Sequence, residues 1–368
     1  VLKGIERVCK PALARFISLF LSRRRITARE LGVLGVSRLL IIRQHHQMGD
    51  MLLAVPAFRG LRARFGDARI TLLAAPINAA CMQRNPYVDE VLVLPRKKGL
   101  RSFLDLIRFI ADLRRRRFDA AIVLSTVSFS VTSMLLAVAS GARLRIGSTS
   151  EPFGHDLASR FYHLELPLPP REELATMHES VHNIYPLAAI GVRVTDLTSV
   201  FVPSAEDVRE CERFIAASFG TGGRFIVVHP GAGKARNVWP GRRYAETVKV
   251  LGEDFECGVV ATGGPADAAA LEAFLEACVV RPFVLPCPSV GFLGALMKRS
   301  ALTLCNDTGI MHIAGAVGAR CVAVFGPTDP ARWKPVNETV VAVRGKDGNV
   351  ESVSVDEVIA AAAALLGT

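Results

Sequence analysis

Three stretches of this chain carry residues whose types and spacing suit chemistry on an anionic, hydroxylated substrate. The first is Gln44-His45-His46-Gln47-Met48-Gly49-Asp50. Asp50 reads two ways: as an N-cap for the helix that starts near it, or as a general base for a substrate hydroxyl within reach. Gly49 permits a tight turn or a close backbone approach. His45 and His46 have ligand-type side chains, but no third ligand accompanies them, so they read as polar loop residues and no metal site is expected.

The second stretch runs from His229 to Pro240, HPGAGKARNVWP. Gly231 and Gly233, with Ala232 between them, free the backbone to turn amides towards an anion, and Lys234 and Arg236 supply charge. The same residues also describe a plain glycine turn with exposed basic neighbours. A Walker loop is excluded, because Val228 and Ala235 stand where it requires Gly and Ser/Thr. The third stretch is Asn306-Asp307-Thr308-Gly309-Ile310-Met311-His312-Ile313-Ala314-Gly315-Ala316. Asp307 or Thr308 can cap a helix here, and the free amides at such a helix start form an anion site reinforced by the macrodipole. His312 lies about one turn in. The run Ala314-Gly315-Ala316 predicts close packing of that helix on a sheet.

The elements that must hold these stretches follow a βαβ rhythm. Apolar runs at 38–43, 69–74, 90–94 and 119–124 predict strands in the first half, with helices over 50–65 and 101–117. A second series of strands is predicted at 224–228, 256–261, 282–285, 301–304 and 320–325. Each chemical stretch directly follows a strand, which is where open α/β sheets bind ligands. The proline-rich segment 164–203 predicts a linker between two doubly wound domains. The uncharged stretch Ala120–Ala142 is long enough to span a membrane, but its serines and threonines make it a strand, a loop and a short helix. Residues 5–21, followed by Arg23-Arg24-Arg25, read as a basic amphipathic segment, either on an anionic membrane surface or packed as a solvated helix.

Composition bounds the function classes. The 368 residues suit two α/β domains, and 50% hydrophobic content excludes disorder. Residues 1–150 hold 26 Lys/Arg against 9 Asp/Glu, a balance of +17, whereas the rest of the chain balances at −6. The first half is therefore built to meet an anion. No helix-turn-helix, RRM or zinc-finger pattern accompanies that charge, so nucleic acid is not the expected partner. The eight cysteines form no CxxC pair and read as small buried hydrophobes. No GxGxxG follows the first strand, which disfavours an NAD-dependent oxidoreductase.

Taken in order, MGDMLLAVPAFRGLR (48–62), HPGAGKARNVWP (229–240), TGGPAD (262–267), NDTGIMHIAGA (306–316) and FGPTDP (325–330) resemble glycosyltransferase family 9, the ADP-heptose heptosyltransferases of lipopolysaccharide core assembly. The resemblance runs from about Arg38 to Pro335. It implies an α/β GT-B fold, two facing Rossmann-like domains with a central cleft. Their expected bounds are 38–190 for the acceptor domain and 191–345 for the nucleotide-sugar domain, with an N-terminal extension over 1–37 and a C-terminal helix over 346–368. It further implies an inverting, metal-independent transferase with no cofactor, using an ADP-sugar as co-substrate. Asp50 matches the catalytic aspartate, in a loop with His45, His46 and Gly49 on the acceptor side. Asp307, Thr308, Gly309 and His312 match the donor diphosphate and sugar site, Gly231, Ala232 and Gly233 the loop near the phosphates, and Asp267 the acidic residue on the ribose. Lys234 and Arg236 supply positive charge where many family members carry a Lys two residues before Trp-Pro; here that place is Asn237. The implied partners are a nucleotide sugar and an anionic glycolipid, at a cytoplasmic location in peripheral contact with the inner membrane. The same fold working on another nucleotide sugar or another acceptor, and a non-catalytic sugar-nucleotide-binding protein, are the alternatives.

Overall fold

A computed structural model of the chain describes residues 16–19, 21, 24–44, 47–95, 100–124, 129–154, 156–220 and 222–367. The amphipathic segment 5–21 lies largely outside these residues, and His45 and His46 lie outside them too. Among the described residues no helix is long and apolar enough to cross a membrane.

The chain divides into two compact units. The first comprises residues 1–47 and 54–197, and the second comprises Met48–Leu53 with Thr198–Thr368. The strands of the first unit are β1 (Arg38–Arg43), β2 (Arg69–Ala74), β3 (Glu90–Val93), β4 (Ala120–Val123), β5 (Leu144–Ser148) and β6 (Leu164–Leu166). They pair in parallel in the order β3-β2-β1-β4-β5-β6. The second unit repeats the scheme with β7 (Phe225–His229), β8 (Gly258–Gly263), β9 (Phe283–Pro286), β10 (Leu302–Asn306), β11 (Cys321–Phe325) and β12 (Val340–Arg344). Its order is β12-β11-β10-β7-β8-β9, again all parallel. The strand order of each sheet thus reverses once, between β1 and β4 and between β7 and β10, and ligands bind outside the carboxyl ends of strands at such a reversal.

The central strands are continuous apolar runs because helices cover both faces of a parallel sheet. Every residue of β4, β7, β10 and β11 is buried. Three strands escaped the sequence reading. β5 and β12 mix arginines into their apolar runs, and β6 has only three residues. Among the described residues five cysteines are buried as expected, whereas Cys278 is half-buried and Cys287 is exposed.

Two expectations are corrected. Segment 164–203 is not a linker throughout: it forms β6 and the helices Arg171–Thr176 and Glu179–Ile184, which belong to the first unit. Two of its prolines start helices instead of breaking the chain. Pro170 sits at an N-cap and Pro186 in the first turn of a 3₁₀ segment, where a missing N–H is harmless. The helix expected over 50–65 is two helices, Met48–Leu52 and Val55–Arg64. Pro56 has no N–H for the carbonyl of Leu52, and the hydroxyl of Ser199 donates to that carbonyl instead, at 2.6 Å.

β1 ends on a fully buried Arg43, whose Nη1 donates to Oδ1 of Asn183 at 2.6 Å and to the carbonyl of Leu124 at 3.3 Å. Asn183 in turn donates to the backbone of the buried Glu179 at 2.7 Å. This hydrogen-bonded cluster fixes the carboxyl end of β1, just before Gln44.

Candidate active site

The loops singled out in the second half all leave the carboxyl ends of adjacent strands. HPGAGKARNVWP follows β7, TGGPAD closes β8, and NDTGIMHIAGA follows β10. Their assembly depends on Asn306, the last residue of β10, which is fully buried. Its Nδ2 donates to the carbonyls of Pro230 and Gly231 at 2.8 and 3.1 Å. Its Oδ1 accepts from the Trp239 amide and the Tyr244 hydroxyl, both at 3.0 Å. One side chain therefore holds both ends of the glycine loop. Trp239 anchors the loop's far end in the core, with its indole N–H on the carbonyl of Val353 at 3.0 Å and its ring edge-on to Tyr244.

Thr308 caps the helix Gly309–Val317, its hydroxyl accepting from the Ile310 amide. The helix is buried from Met311 to Ala316, and Gly315 lies against Pro335 and Val340, the close packing that its small residues predicted. His312 is buried one turn in. Against this helix packs the segment Met48–Leu53, which groups with the second unit although it follows β1 in sequence. Gly49 meets the His312 ring so closely that a Cβ there would fall 2.5 Å from Cδ2 and 2.7 Å from Nε2. The Met48 side chain covers Gly309 in the same way, 3.4 Å from where a Cβ would stand. Asp50 is not an N-cap, contrary to one of its two readings: it is the third residue of its helix and only 8% exposed. The structure thus brings Asp50's segment to His312 and Gly309, a juxtaposition no local pattern foretold.

Asp267 stands beside the glycine loop. A Cβ on Gly231 would collide with its carboxylate, so that glycine is required for space. Asp267 Oδ2 accepts from the Gly264 amide at 2.8 Å and lies 3.4 Å from Nε2 of the buried His229, whose Nδ1 meets the Thr262 hydroxyl at 3.1 Å. The hydrogen bond from His229 is the largest influence on this carboxyl, and with the Gly264 amide it outweighs burial and holds the pKa below the usual range. Asp267 is accordingly ionised throughout the neutral range.

Asp307 behaves oppositely. Its amide donates to Val324 at 3.0 Å, and Oδ2 accepts from Nδ2 of Asn237 at 3.3 Å. Burial raises its pKa, opposed by a hydrogen bond from Thr328 and the charge of Lys234. A carboxylate with a raised folded pKa destabilises the protein above that value, and the penalty fades as pH falls towards the unfolded value of about 3.9. Asp307→Asn is therefore expected to raise the Tm of the ligand-free protein at neutral pH. The gain should close as pH falls through the raised pKa, followed by calorimetric melting across pH. A gain that persists unchanged in acid would contradict the account.

Gly233, Lys234 and Arg236 are exposed at the loop's crest, with Ala232 half-buried. The backbone of Arg236 lies under the FGPTDP loop, where a Cβ on Gly326 would stand 2.9 Å from its carbonyl. The site residues that sequence reasoning missed are Asn306 and His229. Both close buried strands with a polar side chain, which is the signal that was available.

Residues 106–359 match the family model described as glycosyltransferase family 9 (heptosyltransferase). The chain belongs to glycosyltransferase family 9. The match spans the three loops after β7, β8 and β10 and begins after Asp50. This family 9 glycosyltransferase is 26% identical to lipopolysaccharide heptosyltransferase 3 of Escherichia coli strain K12 over 305 residues, 80% of this chain and 84% of the relative. It is also 26% identical to lipopolysaccharide heptosyltransferase 2 of the same strain, over 81% of this chain and 85% of that one. Among solved structures, a family 9 glycosyltransferase from Veillonella parvula superposes with a TM-score of 0.78 at 23% identity, covering 90% of this chain and 98% of that one. E. coli ADP-heptose lipopolysaccharide heptosyltransferase II gives a TM-score of 0.71 at 22% identity, over 89% and 98% of the two chains. E. coli heptosyltransferase WaaC, solved with ADP, gives 0.70 at 17% identity, over 87% and 97%. The fold is GT-B, and the protein is a glycosyltransferase.

Proposed function

We propose that this glycosyltransferase moves a heptose from ADP-heptose to an anionic acceptor of the lipopolysaccharide inner core, without a metal and with inversion at the anomeric carbon. Asp50 is the general base. The observation that carries this reading is the packing of Met48–Leu53, with Asp50 in it, on the helix Gly309–Val317. A base and a diphosphate-binding helix start are the two groups the reaction needs close together. The names of the relatives, lipopolysaccharide heptosyltransferases 2 and 3, support heptose as the transferred sugar and lipopolysaccharide as the acceptor class.

In the reaction, Asp50 takes the proton of the attacking acceptor hydroxyl. The hydroxyl oxygen bonds to the anomeric carbon on the face opposite ADP, the bond from that carbon to the β-phosphate oxygen breaks, and ADP leaves. Charge that develops on the leaving diphosphate is met by the amides of the first turn at Gly309 and by Lys234 and Arg236. The glycine loop at Gly231, Ala232 and Gly233 approaches the phosphates, and Asp267 holds the ribose hydroxyls, a role that acidic residues after the second strand of such sheets perform. Asp307, Thr308 and His312 line the diphosphate and sugar. We assign the acceptor, with its carboxylates and phosphates, to the basic first unit, and the working place to the cytoplasmic face of the inner membrane.

Calorimetric titration of ADP, UDP and GDP tests the donor assignment. ADP should bind selectively, and Asp267→Ala should weaken it by about tenfold, the loss of a charge-assisted hydrogen bond. A second reading, another nucleotide sugar in the same fold, rests on Asn237 standing where many relatives carry lysine; preference for UDP or GDP would establish it in place of the first.

A further inference from the structure

A cavity of about 450 Å³ opens at the amino ends of the first unit's strands, the end of the sheet opposite the carboxyl end of β1. Arg24, Arg143, Arg145 and His163 line it, and among the described residues that do so Asp119 alone is acidic. That carboxylate is already engaged: its Oδ2 accepts from the amides of Ser37 and Arg38, both at 3.0 Å, and its Oδ1 lies 3.9 Å from Nη1 of Arg143. Three guanidinium groups thus line the cavity beside one carboxylate that is already engaged, and the nearby Glu30 carboxylate, which lies in the field of Arg24, is held by the Thr27 amide outside the lining.

The geometry of His163 sharpens the point. Its Nδ1 accepts the backbone N–H of Arg145 at 3.0 Å, so the ring is neutral and its proton sits on Nε2. Nε2 in turn lies 3.4 Å from Nη2 of Arg145, which is also a donor only. Two donors converge at the cavity where an acceptor belongs. Arg145 is held in this pose by its Nε, which donates to the carbonyl of Phe161 at 2.8 Å. Burial, then the charges of Arg145 and Arg24, hold the His163 pKa down to about 4, as expected of an imidazole in a positive field. The remaining wall is apolar, with Ile26, Leu34 and Leu144, and Val33 and Leu34 expose apolar surface beside it.

We propose that this cavity is a phosphate-binding site, distinct from the sugar-nucleotide site. The Nε2–H of His163 and the fork of Arg145 hold the phosphate oxygens, and Arg24 and Arg143 neutralise the second charge. The apolar wall suits a phosphate that carries a hydrocarbon or other apolar group. The site lies a strand's length, about 15 Å, from the carboxyl ends of the sheet, so its occupancy is separable from catalysis and does not rest on the donor assignment.

The test is calorimetric titration of the full chain with inorganic phosphate, in the wild type, in Arg145→Gln, in the exposed pair Arg24→Ser/Arg143→Ser, and in Arg236→Ser as a donor-loop control. With the donor site filled by saturating ADP, phosphate affinity should fall at least about tenfold in the first two variants and stay unchanged in the control. The exposed pair keeps the test valid even if Arg145→Gln fails to fold. Flotation with phosphatidylglycerol vesicles, against phosphatidylcholine vesicles, separates the two sources. Flotation on the former that free phosphate competes away, and that the same variants lose, identifies a lipid headgroup. Phosphate binding without flotation identifies a soluble phosphate compound. Equal affinity in all four proteins, loss only in Arg236→Ser, or no binding of either probe overturns the proposal.

Discussion

Asp50→Asn should lower turnover by about 10²–10⁴-fold, the usual effect of removing a general base, while leaving ADP affinity and the fold in place. Asparagine has nearly the shape of aspartate, but it carries an NH2 donor in place of one carboxylate oxygen and cannot accept the hydroxyl proton. Asp50 is almost wholly buried within the Met48–Leu52 helix, so an isosteric replacement keeps the packing on His312 and Gly309 that a smaller residue would disturb. The relevant comparison is kcat at saturating donor, with ADP titrated calorimetrically into both proteins. A base acting only in the transition state lowers kcat without weakening nucleotide binding. Near-normal kcat in the variant would remove Asp50 from the mechanism. A matching loss of ADP affinity would make it a structural residue of the donor site.

Asn306→Ala should have the largest effect on stability. The substitution removes four hydrogen bonds and leaves the carbonyls of Pro230 and Gly231, the Trp239 amide and the Tyr244 hydroxyl without the partner that joins them. Unsatisfied buried polar groups cost about 1–3 kcal/mol each, and partial relaxation brings the expected total to roughly 3 kcal/mol. In a unit of this size that lowers Tm by about 6–12 °C. ADP binding should weaken as well, because the glycine loop loses the tie that fixes both its ends. Thermal melting of the two proteins, with and without ADP, reads both effects. An unchanged Tm would show that the loop is held by other contacts. A lowered Tm with full ADP affinity would separate the loop from the nucleotide.

The fold was legible where the sequence is most strongly patterned. The apolar runs of β1, β7, β10 and β11 stand out because a strand covered on both faces carries few polar residues. One end of each sheet, β5 and β6 in the first and β12 in the second, was harder to read. β5 and β12 carry arginines, and β6 is too short for a pattern to develop. Prolines misled at Pro170 and Pro186, because a proline that starts a helix looks the same in sequence as one that ends a domain. The chemical loops were legible by their position after strands, but the contacts that join them were not. Asn306 reaches back to Pro230 and forward in space to Tyr244, and Gly49 lies against His312, pairings that only the folded chain creates. The most consequential of these is the grouping of Met48–Leu53 with the second unit, where the Ser199 hydroxyl donates to the carbonyl of Leu52 that Pro56 leaves without an amide.

The most direct test of the central claim is transfer itself. Purified protein is incubated with ADP-heptose and a heptose-deficient inner-core acceptor bearing its lipid phosphates, and the product is read by mass and by the anomeric coupling of the new linkage. The account predicts addition of one heptose per acceptor with inverted configuration, and none of this product with Asp50→Asn. Retention of configuration, or full transfer by Asp50→Asn, would contradict the mechanism. Transfer from UDP- or GDP-sugars but not from ADP-heptose would contradict the donor.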